Sequence, residues 1–203
     1  MDKKRILLIG ATGTIGSYLA DRLKTRHELI LASKRRSPVQ VDITSSDSIR
    51  GMYEQLGRLD AVIITAGNAY FGDFRSMKEE DFYVGIRSKM MGQINTVMLG
   101  RDHLNPGGSF TVTTGILADD PIRQGLGLSM VNGALHAFVQ AAAIELAAGI
   151  RINAVCPGLV EPSRDKYGPY FAGHFPVPME KVYYGYLKSL EGARSGEIIR
   201  IYS

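Results

Sequence analysis

At 203 residues the chain is long enough for one well-buried core and too short for two ordinary domains, so a single domain over 1–203 is expected. Hydrophobic residues at 45% against charged residues at 22% exclude a disordered or collagen-like chain, and no apolar run approaches the ~20 residues needed to cross a bilayer. A formal charge of +4 admits nucleic acid or a multiply charged small anion as partner, yet the dense basic runs, Lys3-Lys4-Arg5 and Lys34-Arg35-Arg36, come with no nucleic-acid-binding signature.

Met1-Asp2-Lys3-Lys4-Arg5 leads straight into a short apolar strand, Arg5 to Ile9, which is too short for a secretory leader. The lone Cys156 has no partner for an internal disulfide, so a soluble, cytoplasmic protein is expected. Ile15, Leu19 and Leu23 recur every four residues and share one face of a first helix. Strands follow at Glu28 to Ala32, Val39 to Val41 and Ala61 to Ile64. Ser76 with Glu79 three residues on is a capping-box pattern, opening a helix that runs to about His103 and stops before Asn105-Pro106-Gly107-Gly108.

After a strand at Ser109 to Thr113, Leu135, Phe138, Val139, Ala142 and Leu146 form the stripe of a helix closed by Gly149. A strand at Ile150 to Val155 precedes an irregular stretch, Gly158 to Pro178, that carries Tyr167, Tyr170, Phe171, His174 and Phe175. A loop of that length in a compact domain is functional or mobile. Pro178 opens the last helix, Gly192 follows its end, and Glu197 to Tyr202 forms the last strand. Strands alternating with helices make a Rossmann-type, doubly wound α/β sheet of about seven parallel strands with helices on both faces. Ligands on such sheets bind beyond the carboxyl ends of the strands.

The segment Gly10-Ala11-Thr12-Gly13-Thr14-Ile15-Gly16 lies at one such end and opens the first helix. Gly10 permits the sharp turn, Gly13 lets backbone approach a pyrophosphate, and Gly16 lets helix and strand pack closely. The free N–H groups of the helix start then face the anion. Thr12, Thr14 and Ile15 complete the loop. At the end of the second strand, Ser33-Lys34-Arg35 stands where an NAD-preferring site would place an acid, and lysine and arginine attract a 2′-phosphate. NADP(H) is therefore expected over NAD. Asp42 and Ile43 can frame the adenine, and Thr65-Ala66-Gly67, after the fourth strand, lets the chain pass close to the cofactor. No His/Cys/Asp/Glu cluster has metal-ligand spacing, so no metal is expected.

These residues resemble the short-chain dehydrogenase/reductase family over nearly the whole chain. Gly10, Gly13 and Gly16 match its glycine motif, Asp42 its adenine-contacting aspartate, and Ala66-Gly67 the end of its Asn-Asn-Ala-Gly segment. Arg151-Ile152-Asn153-Ala154-Val155-Cys156-Pro157-Gly158 is similar to its sixth strand, with Pro157 and Gly158 abutting the nicotinamide. The resemblance implies a carbonyl or alcohol substrate and a homodimer or homotetramer. It also implies a serine after strand five and a Tyr-x-x-x-Lys on the next helix. Aligning Ala134-Leu135 puts Ser129 at the tyrosine position and Gly133 at the lysine position. The serine position falls on Thr114 or Gly115, and the family's helix-four asparagine falls on Lys89.

Serine and glycine cannot do the work of a phenol and an ammonium. The literal Tyr184-x-x-x-Lys188 lies on the last helix and reads as coincidence; His136 reads as a packed helix residue, Cys156 as a small buried hydrophobe, and Tyr167 and Tyr170 as parts of a lid. Three functions stay open: an atypical NADP(H)-dependent oxidoreductase, an NADP(H) sensor or scaffold that has lost its chemistry, and a nucleic-acid module supported only by charge.

Overall fold

The computed structural model describes residues 3–203; Met1 and Asp2, at the head of the basic N-terminal run, lie outside them. In chain order its elements begin β1 (Arg5–Ile9), α1 (Thr14–Leu23), β2 (Glu28–Ser33), β3 (Val39–Gln40), α2 (Ser46–Leu56), β4 (Leu59–Ile64), α3 (Glu79–Gly85) and α4 (Met91–Gly100). They continue with β5 (Leu104–Thr113), α5 (Leu126–Glu145), β6 (Arg151–Pro157), α6 (Arg164–Tyr167), α7 (Met179–Glu191) and β7 (Ile198–Ile201). The seven strands form one sheet in the order β3-β2-β1-β4-β5-β6-β7, and every neighbouring pair is parallel.

Side chains alternate across a strand, so β1 feeds both faces. Leu7 and Ile9 join a core closed by Ile49, Met52 and Tyr53 of α2, Val97 of α4 and Val139 of α5. Ile6 and Leu8 join a second core closed by Leu19 and Leu23 of α1 and Val182, Tyr186 and Leu190 of α7. This is the doubly wound architecture that the strand and helix pattern implies. Chain order reverses direction between β1 and β4, and a crevice opens beyond their carboxyl ends.

Several local expectations need correction. Ser76 does not cap a helix; its hydroxyl donates to the Asp73 carbonyl at 3.1 Å, and α3 starts at Glu79. The capping carboxylate is that of Asp81, which accepts from the Lys78 N–H at 2.9 Å. The long helix is also broken: Ile86–Met90 is a π-helical turn joining α3 to α4, a wide turn of the kind found at functional sites. Asn105-Pro106-Gly107-Gly108 lies inside β5, where pairing with β4 shifts register between Leu59 and Ala61.

Helix α5 ends at Glu145 rather than at Gly149; Ala148 and Gly149, with φ of 55° and 70°, turn the chain into β6. The 158–178 stretch is not irregular throughout, since it holds Glu161–Ser163 and Gly168–Tyr170 as 3-10 turns around α6 and a bridge between Val160 and Val177. Finally, α5 is 20 residues long with a mean hydropathy of 1.2, enough by length and composition to cross a membrane, contrary to the expectation that no segment is. Polar Ser129, Asn132, His136 and Gln140 interrupt every contiguous apolar run and hide this in the sequence. In the fold, its Val131, Leu135 and Val139 face is buried.

Candidate functional site

The turn after β1 is built by exclusion of side chains. Gly10 has φ +88°, and a Cβ there would lie 2.6 Å from Thr65 Oγ1 and 2.7 Å from the Ala66 nitrogen. A Cβ on Gly16 would collide with the Gly10 carbonyl. Thr65 stitches the turn from β4, its hydroxyl directed at the carbonyls of Ile9 and Gly10 at 3.0 and 3.2 Å. Gly13 is the N-cap of α1 and no side chain caps that helix. The nearest atom to a Cβ on Gly13 would be the Gly10 carbonyl at 3.4 Å, so its outer face is open to the crevice. Uncapped N–H groups beside an open glycine suit an anion. Thr14, Ile15 and Gly16 form the first turn of α1.

The crevice encloses about 320 Å³. Gly10, Thr12 and Gly13 line one side, Thr65, Ala66 and Gly67 the other, and Ser33, Lys34, Asp42 and Ile43 the outer end. These expected residues therefore converge, although they come from four strand ends. Lys34 Nζ sits 2.7 Å from Asp42 Oδ2, and Thr44 donates to Asp42 Oδ1 through its N–H at 3.1 Å and its hydroxyl at 2.7 Å. The Lys34 hydrogen bond, followed by that of Thr44, holds the Asp42 carboxyl down to about 2. Arg35 is exposed and lies off this lining, while the Ser33 hydroxyl accepts from the Arg36 N–H at 3.1 Å. Thr44, Asn68 and Ser88 also line the crevice and were not foreseen. Ser88 arrives on the π turn, which the sequence does not announce, and accepts from the Asn68 N–H at 3.0 Å.

Across Gly67 lies a second pocket of about 360 Å³. Pro157 and Gly158, at the end of β6, border it, as do Thr114 and Gly115 after β5. Lys89 enters from the π turn, and Phe71, Tyr167 and Phe171 form an aromatic wall. The Phe71 ring meets those of Tyr167 and Tyr170 edge-on, at centroid distances of 5.9 and 4.9 Å. Burial pulls the Lys89 ammonium down to about 8, with the Cys156 thiol opposing that shift. Cys156 itself is fully buried, and burial pushes its thiol up.

The helix α5 presents Leu128 and Asn132 to this pocket. The expected pair, Ser129 and Gly133, is one residue later on the helix, about 100° around it, and neither lines the pocket. The Ser129 hydroxyl is buried without a partner among the described residues, and a Cβ on Gly133 would meet none of their atoms within 4 Å. The sequence held the signal for the right phase: Leu128 and Asn132 stand seven and three residues before Leu135, on the same face as the apolar stripe. Asn132 is 2% exposed, and its Oδ1 has no hydrogen-bond donor among the described residues.

Thr114 and Gly115 both reach the pocket, but only Thr114 offers a hydroxyl. Its Oγ1 is 3.0 Å from His136 Nε2, and His136 Nδ1 is 3.9 Å from Asp119 Oδ1. Asp119 accepts from Arg200 Nε at 2.6 Å and from the Tyr202 hydroxyl. Burial lowers the His136 pKa, leaving the ring neutral beside Thr114. His136 thus does more than pack. Tyr184 and Lys188 lie away from both pockets on α7, where Lys188 pairs with Glu197. No group of three or more His, Cys, Asp or Glu side chains among the described residues is placed to hold a metal.

Comparison with known proteins agrees with this geometry. Residues 10–170 match the family model described as enoyl-(acyl carrier protein) reductase. The oxidoreductase UcpA of Salmonella typhimurium is 28% identical over 185 residues, covering 77% of this chain and 69% of its own. Among solved structures, the protein lin1944 from Listeria innocua superposes with a TM-score of 0.95 at 49% identity, covering 97% of this chain and 98% of its own. A small-chain dehydrogenase in complex with NADPH superposes with a TM-score of 0.88 at 26% identity, covering 99% and 97%. The glycine turn, the seven-stranded sheet and the paired pockets at its carboxyl edge are thus those of a member of the short-chain dehydrogenase/reductase family of oxidoreductases, to which this chain belongs.

Proposed function

We propose that the chain is an NADP(H)-dependent oxidoreductase that interconverts a carbonyl and an alcohol. The observation that carries this reading is the adjacency of the two pockets, which share Gly67 in their linings, one suited to a dinucleotide and the other to a substrate. The Gly10–Gly16 turn would hold the pyrophosphate, Asp42 and Ile43 the adenine, Lys34 the 2′-phosphate, and Pro157 with Gly158 the nicotinamide. When bound, that ring supplies or accepts the hydride. The NADPH complex of a relative at 26% identity supports the choice of cofactor. Among the hydroxyls lining this pocket we assign the proton to Thr114, which lies beside His136, and His136, backed by Asp119, exchanges that proton with it.

NADPH is expected to bind at least tenfold more tightly than NADH, a difference of about 1.4 kcal/mol, in calorimetric titrations. Lys34→Ala with Arg35→Ala should weaken NADPH and leave NADH nearly unchanged. Equal affinities for the two cofactors would remove the 2′-phosphate argument. Lys34 must exchange its Asp42 partner for the phosphate, so the preference is smaller than a free lysine would confer.

A second reading, an NADP(H) sensor or scaffold, is favoured by one observation: Leu128 and Asn132 face the pocket, and neither can donate a proton as a phenol does. Following NADPH absorbance across a panel of carbonyl compounds separates the two. Ordinary neutral aldehydes and ketones should be turned over slowly. Thr114→Val, which keeps the shape and removes the hydroxyl, should lower whatever turnover exists by about 10²–10⁴-fold while NADPH affinity holds. If Tyr167→Phe causes that loss and Thr114→Val does not, the proton comes from the aromatic wall instead. No turnover with any compound in the panel leaves the sensor reading.

Exposed Val84, Met98, Met130 and Ile144 on α3, α4 and α5 support the expected homodimer or homotetramer about a twofold axis. A monomer in light scattering at high protein concentration would refute it.

A further inference from the structure

We propose that the second pocket takes a carbonyl compound bearing its own carboxylate, an oxo acid, and that Lys89 recognises the anion. The proposal deepens the oxidoreductase reading and rests on it. Lys89 is the sole charged side chain among the described residues lining this pocket. Its ammonium has no hydrogen-bond or carboxylate partner among those residues. In the neighbouring crevice the lining cation is matched, Lys34 with Asp42.

The placement of Lys89 is built into the fold. A Cβ on Gly67 would lie 2.7 Å from Lys89 Cα and 3.0 Å from its Cγ, so the bare backbone at Gly67 leaves room for the lysine stem to pass. The π turn sets the helical phase at Lys89. A lysine on an open helix face carries its charge out to water. This one is half-buried, on a wall shared with Phe71, Ile116 and Leu128.

An ammonium so placed is costly without a counterion, and a ligand carboxylate converts the cost into a charge-assisted hydrogen bond. A neutral carbonyl compound offers no such compensation. Among the described residues, no Asp or Glu lines the pocket to repel the anion. The orphaned Asn132 Oδ1 adds a buried acceptor, suited to a hydroxyl or N–H of the bound molecule. The aromatic wall accommodates the apolar remainder of the substrate.

The test uses the full chain saturated with NADP+, which cannot reduce an oxo acid. Phenylpyruvate and its methyl ester are titrated calorimetrically as probes. The acid should bind wild-type protein at least tenfold more tightly than the ester. Lys89→Met should erase that margin with NADP+ affinity held within twofold, and Lys89→Arg should keep part of it. Equal affinity of the two probes for wild type, or no binding of either, overturns the proposal without any variant. A margin that survives Lys89→Met overturns it as well, since another group then holds the carboxylate. If NADP+ fails to bind wild type, the cofactor reading falls instead, and the acid–ester comparison on the protein alone still decides the role of Lys89.

Discussion

Combining Leu128→Tyr and Asn132→Lys with Gly115→Ser and Lys89→Asn is expected to raise the turnover of neutral ketones by about 10²–10⁴-fold, the usual worth of a positioned acid–base group. Leu128 and Asn132 are one helical turn apart and both face the second pocket, so the phenol and the ammonium would point at the same reacting atoms. Gly115 is extended, with φ of −179°, and a Cβ there would meet only Asn132 Nδ2 at 3.5 Å and the Pro157 carbonyl at 3.8 Å. A serine fits without strain. Lys89→Asn belongs in the set because two ammonium groups in one apolar pocket would depress each other's charge and leave the phenol unassisted.

The control is Ser129→Tyr with Gly133→Lys. Those side chains leave the helix in a different direction, and a tyrosine replacing the buried Ser129 must displace its neighbours, so stability should fall and turnover should not rise. Initial rates of NADPH loss, read beside melting curves, decide the matter. A gain in the control and none in the four-residue variant would return the register to Ser129 and Gly133. Rapid wild-type turnover of neutral ketones would show that the pocket needs neither residue.

Gly10→Ala is expected to destabilise the chain by about 3 kcal/mol and to weaken NADPH binding at least tenfold. At φ +88° any side chain is strained, typically at ~1–3 kcal/mol. The Cβ would also press on Thr65 Oγ1 and the Ala66 nitrogen at 2.6 and 2.7 Å, and overpacking of that kind costs ~1–3 kcal/mol. For a chain of this size each kcal/mol is worth roughly 2–4 °C, so the melting temperature should drop by about 6–12 °C. Relief of the clash requires the β4 end to move away from the β1 end, which opens the crevice where the pyrophosphate would sit. Gly51→Ala is the matched control. Gly51 lies mid-helix in α2 with nothing within 4 Å of an added Cβ, so alanine there should stabilise by roughly 0.5–1 kcal/mol. An unchanged melting temperature and NADPH affinity in Gly10→Ala would show that the turn is not the rigid cradle its geometry describes.

Much of the dinucleotide crevice was readable because its requirements are local. A turn that passes within van der Waals reach of another strand end demands glycine at Gly10 and Gly16 and leaves that mark at fixed spacing. Lys34 and Asp42 follow the ends of adjacent strands, so the alternation of strands and helices already placed both at one crevice. The pairing between them was not readable. It depends on the parallel register of β2 and β3, where Ala32 lies beside Val39. Arg35 is one residue from Lys34 and points elsewhere, since successive side chains at a strand end diverge.

The second pocket behaved differently. Thr114 and His136 are 22 residues apart in the chain, and Asp119 joins them only because the turn after β5 folds back over α5. Lys89 reaches its pocket through a π turn, a one-residue widening that the residue types along Ile86–Met90 do not announce.

The sequence by itself determined the parallel αβ order, the glycine turn that opens α1, and the lack of a tyrosine–lysine pair on α5. Each of these follows from short-range sterics or from composition at a known spacing. Only the tertiary structure decided that Leu128 and Asn132, not Ser129 and Gly133, face the pocket, and that Lys89, unpaired among the described residues, lines the same pocket. A one-residue phase difference turns a helix by about 100°, and that rotation is set by how α5 seats its Val131, Leu135 and Val139 face in the fold.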